Sequence, residues 1–283
     1  MKKILITGTN GYISTQFTKY IRENFNEDYE LTPISLRTGD WKSIDFGRYD
    51  TIIHAVGIAH KKENAKSKNE YFKINKDLTI NLAEKAKKEG CKQFIFLSSM
   101  SVYGMNSGFI TKKTKPKPNT NYGQSKLEAE NAIKYLQDSK FRVAILRPPM
   151  VYGKDCGGNY RKLSEIANKL FVFLDTNNLR SMIYIENLNI VIKQLIDFNS
   201  AGTYFPQNDE FVNTSELVKK IRAVRGKKTK IIRVNGNKMN LFMRVSYFRK
   251  IFGNLTYEKS LSAQNIDNKE FINFEDSIKL SED

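Results

Sequence analysis

The chain has few of the residues that define several other classes of protein. Its 283 residues include two cysteines, Cys91 and Cys156, too few for a disulfide framework and typical of a reducing compartment. The two histidines, His54 and His60, lack metal-ligand spacing with either cysteine, so we expect no metal site. No stretch approaches the ~20 apolar residues that span a bilayer. The apolar run at Met1–Thr7 is too short for a signal peptide, and we expect a cytoplasmic protein.

Acidic residues are also scarce relative to basic ones. Asp and Glu number 30 against 47 Lys and Arg, which gives a formal net charge of +17 and a pI near 9.6. Anionic small molecules, an anionic membrane surface or nucleic acid would all suit this charge. The lysines are scattered through every segment and no nucleic-acid motif is present, so we expect no nucleic-acid partner. A general bias towards lysine, which also suits doubly anionic small ligands, explains the charge adequately.

The first motif lies at the beginning of the chain. The apolar run Lys2–Thr7 predicts a buried strand, the segment Gly8–Ser14 (GTNGYIS) predicts a turn, and a helical pattern follows to Asn24. A glycine turn between a strand and a helix is typical of dinucleotide binding. Gly8 would permit the tight turn, and Gly11 would let a pyrophosphate approach the helix N-terminus. Ser14 replaces the usual third glycine, which is a modest change because serine is small.

The second motif is Tyr122-Gly123-Gln124-Ser125-Lys126. Tyr122 and Lys126 are four residues apart and would share one face of a helix. A free tyrosine loses its proton near pH ~10, too high for a base in the cell. We expect the Lys126 ammonium to lower the pKa of Tyr122 by charge attraction. The pair would then exchange a proton with a substrate hydroxyl.

The third motif is an apolar run that ends in hydroxyl groups. Phe94–Leu97 predicts a parallel strand, and Ser98 and Ser99 follow directly, before Met-Ser-Val-Tyr-Gly. Ligands of parallel sheets bind beyond the carboxyl ends of their strands. Serines in this position could also cap the next helix. The sequence therefore predicts either a ligand contact or a cap at these two serines.

In this order the three motifs resemble the extended short-chain dehydrogenase/reductase family of nucleotide-sugar enzymes, over nearly the whole chain. The resemblance implies a catalytic triad of Ser99, Tyr122 and Lys126. Ser99 would bind the substrate oxygen, Tyr122 would exchange its proton, and Lys126 would hold the phenolate and the nicotinamide ribose. It implies a wider set of cofactor contacts: Gly8, Asn10, Gly11, Tyr12, Ile13, Arg37, Ala55, Val56, Gly57, Ser98, Tyr122, Lys126, Pro148 and Val151.

The resemblance also suggests substrate contacts. Arg180 matches the arginine that clamps the diphosphate of UDP, a bidentate task suited to guanidinium. Ser99 would contact the sugar, and Asn159 is a weaker candidate for the nucleotide or sugar. Related epimerases often carry an asparagine where this chain has Met150, so we assign no contact there. His60 either caps a helix or lies near the cofactor.

Strand and helix patterns alternate through the first half, which predicts βαβ units. We expect an α/β fold: a Rossmann-type doubly wound parallel sheet with a smaller C-terminal α+β substrate lobe. The dinucleotide domain would comprise residues 1–153 and about 175–199, with Ser181–Ile185 returning to the sheet. The lobe would comprise residues about 154–174 and 200–283.

Three questions are left open. Lys238–Phe252 is basic and rich in Met, Phe and Leu, as a membrane-surface helix would be, but we favour a core-facing helix of the lobe. A homodimer is also left open.

At the end of the predicted strand Ile34–Leu36, Arg37 suits a 2′-phosphate, which favours NADP(H). Asp40 or Asp45 could instead take the ribose hydroxyls of NAD(H).

The expected reaction follows from what the third motif lacks. Dehydratases of this family carry Thr-Asp-Glu where this chain has Ser99–Ser101, so elimination of water is disfavoured. Two chemistries remain: a 4-epimerase that retains NAD, and a 4-ketoreductase that consumes NADPH. Arg37 favours the reductase, acting on a UDP-4-keto-6-deoxy-N-acetylhexosamine to make UDP-N-acetylfucosamine or its quinovosamine epimer for capsule or other surface polysaccharide. A non-catalytic NADP-binding regulator is a third reading, but such proteins tend to lose the Tyr or Lys.

Overall fold

The computed structural model describes residues 1–59, 64–234, 253–263 and 266–283. The predictions for His60 and for Lys238–Phe252 therefore fall outside the described residues. The chain divides into two compact units, which are described separately. The first unit comprises Met1–Gly104, Lys115–Pro148 and Asn189–Phe205, and the second comprises Met105–Thr114, Pro149–Leu188 and Pro206–Asp283.

The first unit is built on a six-stranded parallel sheet. In chain order its strands are β1 (Lys2–Thr7), β2 (Tyr29–Ile34), β3 (Thr51–His54), β4 (Gln93–Leu97), β6 (Arg142–Leu146) and β10 (Gly202–Tyr204). Their order across the sheet is β10-β6-β4-β3-β1-β2. Every residue of β3 and β4 is buried, as the apolar runs require of strands covered on both faces.

Helices connect these strands. They are α1 (Tyr12–Asn24), α2 (Ala65–Tyr71), a π-helical turn (Phe72–Asp77), α3 (Leu78–Lys88), α4 (Asn121–Lys134) and α6 (Ile185–Asp197), of which residues from Asn189 on belong to this unit. The apolar faces of α3 and α4 bury Leu82, Ala86, Ala129 and Ile133 against the strand residues Phe94 and Phe96 in one core. The predicted doubly wound α/β fold is confirmed.

The sheet reverses its winding beside β1. The chain places β2 on one side of β1 and β3 on the other, and both pair with it in parallel. Thr7 pairs with His54, so the loops that begin at Gly8 and Ala55 leave the same edge of the sheet. This is the position at which open parallel sheets bind their ligands.

β2 ends earlier than the sequence predicted. It stops at Ile34, and residues 35–50 contain two 3₁₀ turns, Gly39–Ser43 and Phe46–Arg48, but no strand. Among the described residues β2 is therefore the edge of the sheet. Pro33 lies in this strand, in keeping with the tolerance of edge strands for a residue that lacks an amide donor.

The described part of the second unit contains three two-stranded parallel sheets. They pair β5 (Gly108–Ile110) with β12 (Leu255–Tyr257), β7 (Met150–Tyr152) with β9 (Met182–Tyr184), and β8 (Val172–Asp175) with β11 (Lys230–Arg233). Its helices are α5 (Gly158–Lys169), α7 (Thr214–Val224), α8 (Lys259–Ser262), α9 (Phe274–Glu282) and the beginning of α6. Asn213 caps α7 by accepting the amides of Ser215 and Glu216.

Four ranges belong to different units from those predicted. Ser181–Ile185 does not return to the large sheet, because β9 pairs with β7 in the second unit. The sixth strand of the large sheet is β10, which pairs with β6. Residues 105–114, 149–153 and 175–188 lie in the second unit, and 200–205 in the first. No helix in the described part of the chain has the length and apolar character needed to cross a bilayer.

Candidate active site

The glycine turn after β1 has the conformation that dinucleotide binding requires. Gly8 adopts a φ of +96°, which side chains with a Cβ rarely tolerate. Gly11 is the N-cap residue of α1 and has no side chain to accept a hydrogen bond. The amides of the first turn, which begins at Tyr12, are therefore not capped by a side chain. An uncapped helix N-terminus behind a glycine turn suits a pyrophosphate. Asn10 lies exposed on the same turn.

Ser14 has a larger part in this turn than its place in the motif suggested. Its side chain is buried, and its hydroxyl donates to the carbonyl oxygens of Gly8 and Gly11, the latter at 2.8 Å. The hydroxyl thereby fixes the turn from inside. Serine in place of glycine therefore adds one hydroxyl hydrogen, shared between the two carbonyl oxygens, in addition to filling the position.

The loop after β3 closes against the glycine turn and against α4. A Cβ on Gly8 would lie 3.0 Å from Cγ2 of Val56, so the two loops are in contact. A Cβ on Gly57 would lie 2.9 Å from Nζ of Lys126 and 3.2 Å from Oδ1 of Asn75. Only glycine at position 57 leaves room for both polar groups. Ala55, the first residue of this loop, donates its amide to Thr7 Oγ1 at 3.2 Å.

Ser99 and Tyr122 lie beside each other. Ser99 precedes a 3₁₀ turn, Met100–Tyr103, its hydroxyl donates to Ser101 Oγ at 3.1 Å, and its side chain is near enough to the Tyr122 phenol to act on the pKa of that phenol. Tyr122 lies in the first turn of α4, which Thr120 caps by accepting the amide of Gly123. The structure thus brings together two members of the predicted triad, whose catalytic role remains a prediction. The cap predicted as an alternative role for Ser99 is present as well, because its hydroxyl accepts the amide of Ser101 at 3.1 Å.

The pKa of Tyr122 differs from the expectation. Burial raises it above the ordinary value of 10.0, and the nearby Ser99 side chain only partly opposes this effect. The expected lowering by Lys126 is absent, because Nζ of Lys126 donates instead to the Leu97 carbonyl at 2.9 Å. Burial lowers the pKa of Lys126 itself to about 7, with Glu130 acting in the opposite direction. Tyr122 is therefore protonated at neutral pH in this structure.

Asn75 is a site residue that sequence reasoning missed. It is fully buried in the π-helical turn, accepts the amide of Ile58 at 2.8 Å and donates to the Ile58 carbonyl at 3.0 Å. It also donates to Ser125 Oγ at 3.2 Å, so it ties the loop after β3 to α4. The available signal was an asparagine in helical register with the apolar positions Leu78 and Leu82.

A buried ion pair lies behind the site. Arg147 and Glu130 are 5% and 0% exposed, and their charged groups approach to 2.5 Å. Ser98 donates its hydroxyl to Glu130, so this side chain is committed to the ion pair. Any cofactor contact of Ser98 would therefore come from its backbone. Pro148, predicted beside the nicotinamide, accepts the amide of Met100 at 2.9 Å with its carbonyl.

The end of β2 is followed by an exposed arginine and by two exposed carboxylates. Arg37 is exposed, three residues beyond the strand. Asp40 accepts the Thr38 hydroxyl at 2.7 Å, and Asp45 caps a 3₁₀ turn by accepting the Gly47 amide at 2.9 Å. Both carboxylates that could take ribose hydroxyls thus already accept one local hydrogen bond.

The remaining predicted residues lie in the second unit. Arg180 is fixed by backbone hydrogen bonds to Val212, and its Nη1 donates to the Gly253 carbonyl at 2.9 Å. No carboxylate among the described residues pairs with its guanidinium, and burial lowers its pKa. Asn159 is exposed in the first turn of α5. Val151 lies in the middle of β7, half-buried.

Comparison with known proteins identifies the family. Residues 4–204 match the NAD dependent epimerase/dehydratase family, so the chain belongs to that family. It is an enzyme of the extended short-chain dehydrogenase/reductase kind that works with a nicotinamide dinucleotide. The chain is 29% identical over 256 residues to a UDP-glucose 4-epimerase of Vibrio cholerae, and the match covers 81% of this chain and 77% of the relative.

Solved structures share the fold. A UDP-glucuronic acid 4-epimerase from Bacillus cereus, in complex with NAD, superposes with a TM-score of 0.77 at 18% identity and covers 99% of this chain and 95% of its own. A dTDP-4-dehydrorhamnose reductase from Bacillus anthracis, in complex with NADP, gives a TM-score of 0.66 at 22% identity, over 84% and 85% of the two chains. At these identities the comparisons establish the fold alone.

Proposed function

We propose that the protein is an NADPH-dependent 4-ketoreductase that acts on a UDP-linked 4-keto-6-deoxy-N-acetylhexosamine. The product would be UDP-N-acetylfucosamine or its quinovosamine epimer, for capsule or other surface polysaccharide. The placement of Ser99 beside the Tyr122 phenol, with Lys126 one helical turn further along α4, is the observation that carries this proposal. Reduction of a ketone requires a proton donor at the carbonyl oxygen, and a tyrosine with a raised pKa holds its proton at neutral pH.

The residues present fit a dinucleotide. Gly8, Gly11 and the N-terminus of α1 would hold the pyrophosphate, and Val56 and Gly57 would line the nicotinamide side. When bound, the nicotinamide supplies the hydride. Lys126 lies against Gly57, where its side chain would orient the ribose.

In the proposed reaction Ser99 donates a hydrogen bond to the carbonyl oxygen at C4. Tyr122 then gives its phenolic proton to that oxygen as the alcohol forms. The Lys126 ammonium compensates the charge of the resulting phenolate until water returns the proton. Dehydratases carry an Asp-Glu acid/base pair where this chain has Met100 and Ser101. Elimination of water would need that pair, and the buried Met100 side chain has no group that could exchange a proton.

Arg37 supports the choice of NADPH. Its exposed guanidinium suits a 2′-phosphate. Asp40 and Asp45, which would favour NAD, each already accept one local hydrogen bond, from Thr38 and Gly47 respectively. In the second unit, we assign Arg180 to the diphosphate of UDP, because its guanidinium is fixed by the backbone but pairs with no described carboxylate.

The proposal is tested by supplying the purified enzyme with UDP-4-keto-6-deoxy-N-acetylglucosamine and NADPH. We expect one NADPH to be oxidised for each sugar reduced, and NADPH to be preferred to NADH in kcat/KM. Tyr122→Phe should lower kcat by roughly 10²–10⁴ while cofactor affinity is retained. Turnover close to wild type by folded Tyr122→Phe would refute the assignment of the proton donor. Arg37→Asp should erase or invert the cofactor preference.

A second candidate is a UDP-sugar 4-epimerase, which the 29% identity to the Vibrio cholerae UDP-glucose 4-epimerase favours. An epimerase recycles one retained NAD, whereas a reductase must release its oxidised cofactor in each cycle. Protein that purifies with tightly bound NAD and interconverts UDP-N-acetylglucosamine and UDP-N-acetylgalactosamine without added cofactor would establish the epimerase. It would also exclude the reductase.

A further inference from the structure

The second unit carries a cluster of exposed apolar side chains between α5 and β8. Leu170, Phe171 and Val172 follow one another in the chain and are 48%, 57% and 40% exposed. We call these three residues the apolar tip. Ile232 of the neighbouring strand β11 is 43% exposed as well. Large consecutive apolar side chains on a surface with a polar surround are typical of an interaction site.

Lysines surround the apolar tip. Lys169 precedes it directly in the chain, Lys230 pairs with Val172 in the β8–β11 register, and the Lys230 amide donates to the Phe171 carbonyl at 2.9 Å. Lys227 and Lys228 form the loop that leads into β11. We call these four lysines, Lys169, Lys227, Lys228 and Lys230, the cationic rim; all four are exposed, and no carboxylate of the described residues pairs with any of them.

The rim is held in place by a buried side chain. Arg222 of α7 is 5% exposed, and its Nη1 donates to the Ala167 carbonyl near the end of α5 at 2.7 Å. Its Nη2 donates to the Lys228 carbonyl at 2.6 Å. Nζ of Lys227 donates to Asn168 in α5, including the carbonyl at 3.4 Å. The loop of Lys227 and Lys228 is thereby fixed beside the apolar tip.

We infer that this surface docks on an anionic lipid bilayer. An exposed Leu-Phe-Val tip can enter the boundary between headgroups and acyl chains, while the surrounding lysines remain among anionic headgroups. Each lysine near such a surface contributes roughly fivefold to binding. This inference concerns a surface of the second unit and is independent of the proposed reaction.

Other partners suit the surface less well. A second copy of the chain would present the same cationic rim and a formal net charge of +17, so the two surfaces would repel each other. Nucleic acid would suit the lysines but gains little from leucine and valine, which cannot stack on bases as aromatic rings do. An anionic bilayer uses both the apolar and the charged parts.

Co-sedimentation of the full-length protein with vesicles tests the inference. We expect binding to vesicles of equal parts phosphatidylcholine and phosphatidylglycerol at about 0.1 M salt, and little binding to phosphatidylcholine alone. Phe171→Ser should weaken binding roughly tenfold because the buried ring is lost. The matched control is Phe198→Ser, which removes a ring that is 74% exposed in the first unit and should have little effect.

The charged part is tested separately. Lys227→Gln/Lys228→Gln should weaken binding roughly 25-fold, the product of two lysine contributions. Lys112→Gln/Lys113→Gln removes the same charge from an exposed loop and serves as the control. The four substituted lysines are exposed, and Arg222 still holds the Lys228 carbonyl when Lys227→Gln removes the bond to Asn168, so each variant should keep the wild-type circular dichroism.

Three results would overturn the inference. One is failure of the wild type to bind anionic vesicles. The second is an equal loss of binding in the Phe198 or Lys112/Lys113 controls, since this would show attraction by total charge or surface apolarity alone. The third is a protein that does not bind vesicles but binds a short oligonucleotide, with this binding lost in the Lys227→Gln/Lys228→Gln variant.

Discussion

Replacing Lys126 by methionine should stabilise the first unit at neutral pH, although it removes a residue of the proposed active site. The ammonium is 3% exposed, and its pKa falls from the ordinary 10.5 to about 7. Each unit of that difference is worth about 1.4 kcal/mol. At pH 7 the buried ammonium therefore costs about 4 kcal/mol of folding free energy. Functional sites commonly retain such a cost.

The net gain should be smaller than this cost. Methionine has nearly the volume of lysine but cannot donate to the Leu97 carbonyl, which Lys126 contacts at 2.9 Å. It also loses the position of the cation over the Phe96 ring, 4.6 Å from its centre. These losses offset about 2 kcal/mol. We expect Lys126→Met to raise the free energy of unfolding by about 2 kcal/mol at pH 7.

The stability that Lys126→Met gains over wild type must decrease as the pH rises. Between the folded pKa of about 7 and the unfolded pKa of 10.5, the unfolded chain binds more protons, so wild-type stability rises with pH through this window. Below pH 7 the cost stays constant. The stability of the methionine variant relative to wild type should therefore fall by about 3 kcal/mol between pH 7 and pH 9.5, from an advantage of about 2 kcal/mol to a disadvantage of about 1 kcal/mol.

Urea unfolding followed by tryptophan fluorescence provides the measurement. Trp41 is the only tryptophan of the chain and lies in the core of the first unit, so its signal reports that unit. Lys88→Met makes the same change at an exposed position and should alter stability by less than about 0.5 kcal/mol at either pH. A Lys126→Met protein less stable than wild type at pH 7, or with the same advantage at both pH values, would refute the reasoning.

Three further predictions concern other parts of the molecule. Gly57→Ala should lower kcat at least tenfold, since its Cβ would meet polar groups at 2.9 and 3.2 Å, whereas Gly39→Ala, with nothing within 4 Å, should behave as wild type in the same assay. Glu130→Gln should lower the free energy of unfolding in urea by about 3–5 kcal/mol, because it leaves Arg147 buried without its partner. The double variant Glu130→Gln/Arg147→Met should recover much of this loss. A Glu130→Gln protein as stable as wild type would contradict the prediction. Arg180→Ala should weaken UDP binding by about 1.5–3 kcal/mol in calorimetry while NADP(H) affinity is unchanged, and equal UDP affinity would make Arg180 structural.

The sequence by itself determined the features that arise from local patterns. Apolar runs buried on both faces give β1, β3 and β4, and the glycine turn before α1 follows from residues adjacent in the chain. Helical spacing places Tyr122 and Lys126 on α4. The family and the parallel α/β fold follow from the same motifs, because each depends on contacts within a few residues.

Only the tertiary structure decided which distant segments meet. A three-residue strand such as Met182–Tyr184 carries too little pattern to choose its partner, and it pairs with Met150–Tyr152 instead of the large sheet. Asn75 acquires its role only when Ile58 and Ser125 are brought beside it. The direction of the Tyr122 pKa shift could not be predicted from spacing either. It depends on burial and on where the Lys126 ammonium points, and in this fold the ammonium turns to the Leu97 carbonyl.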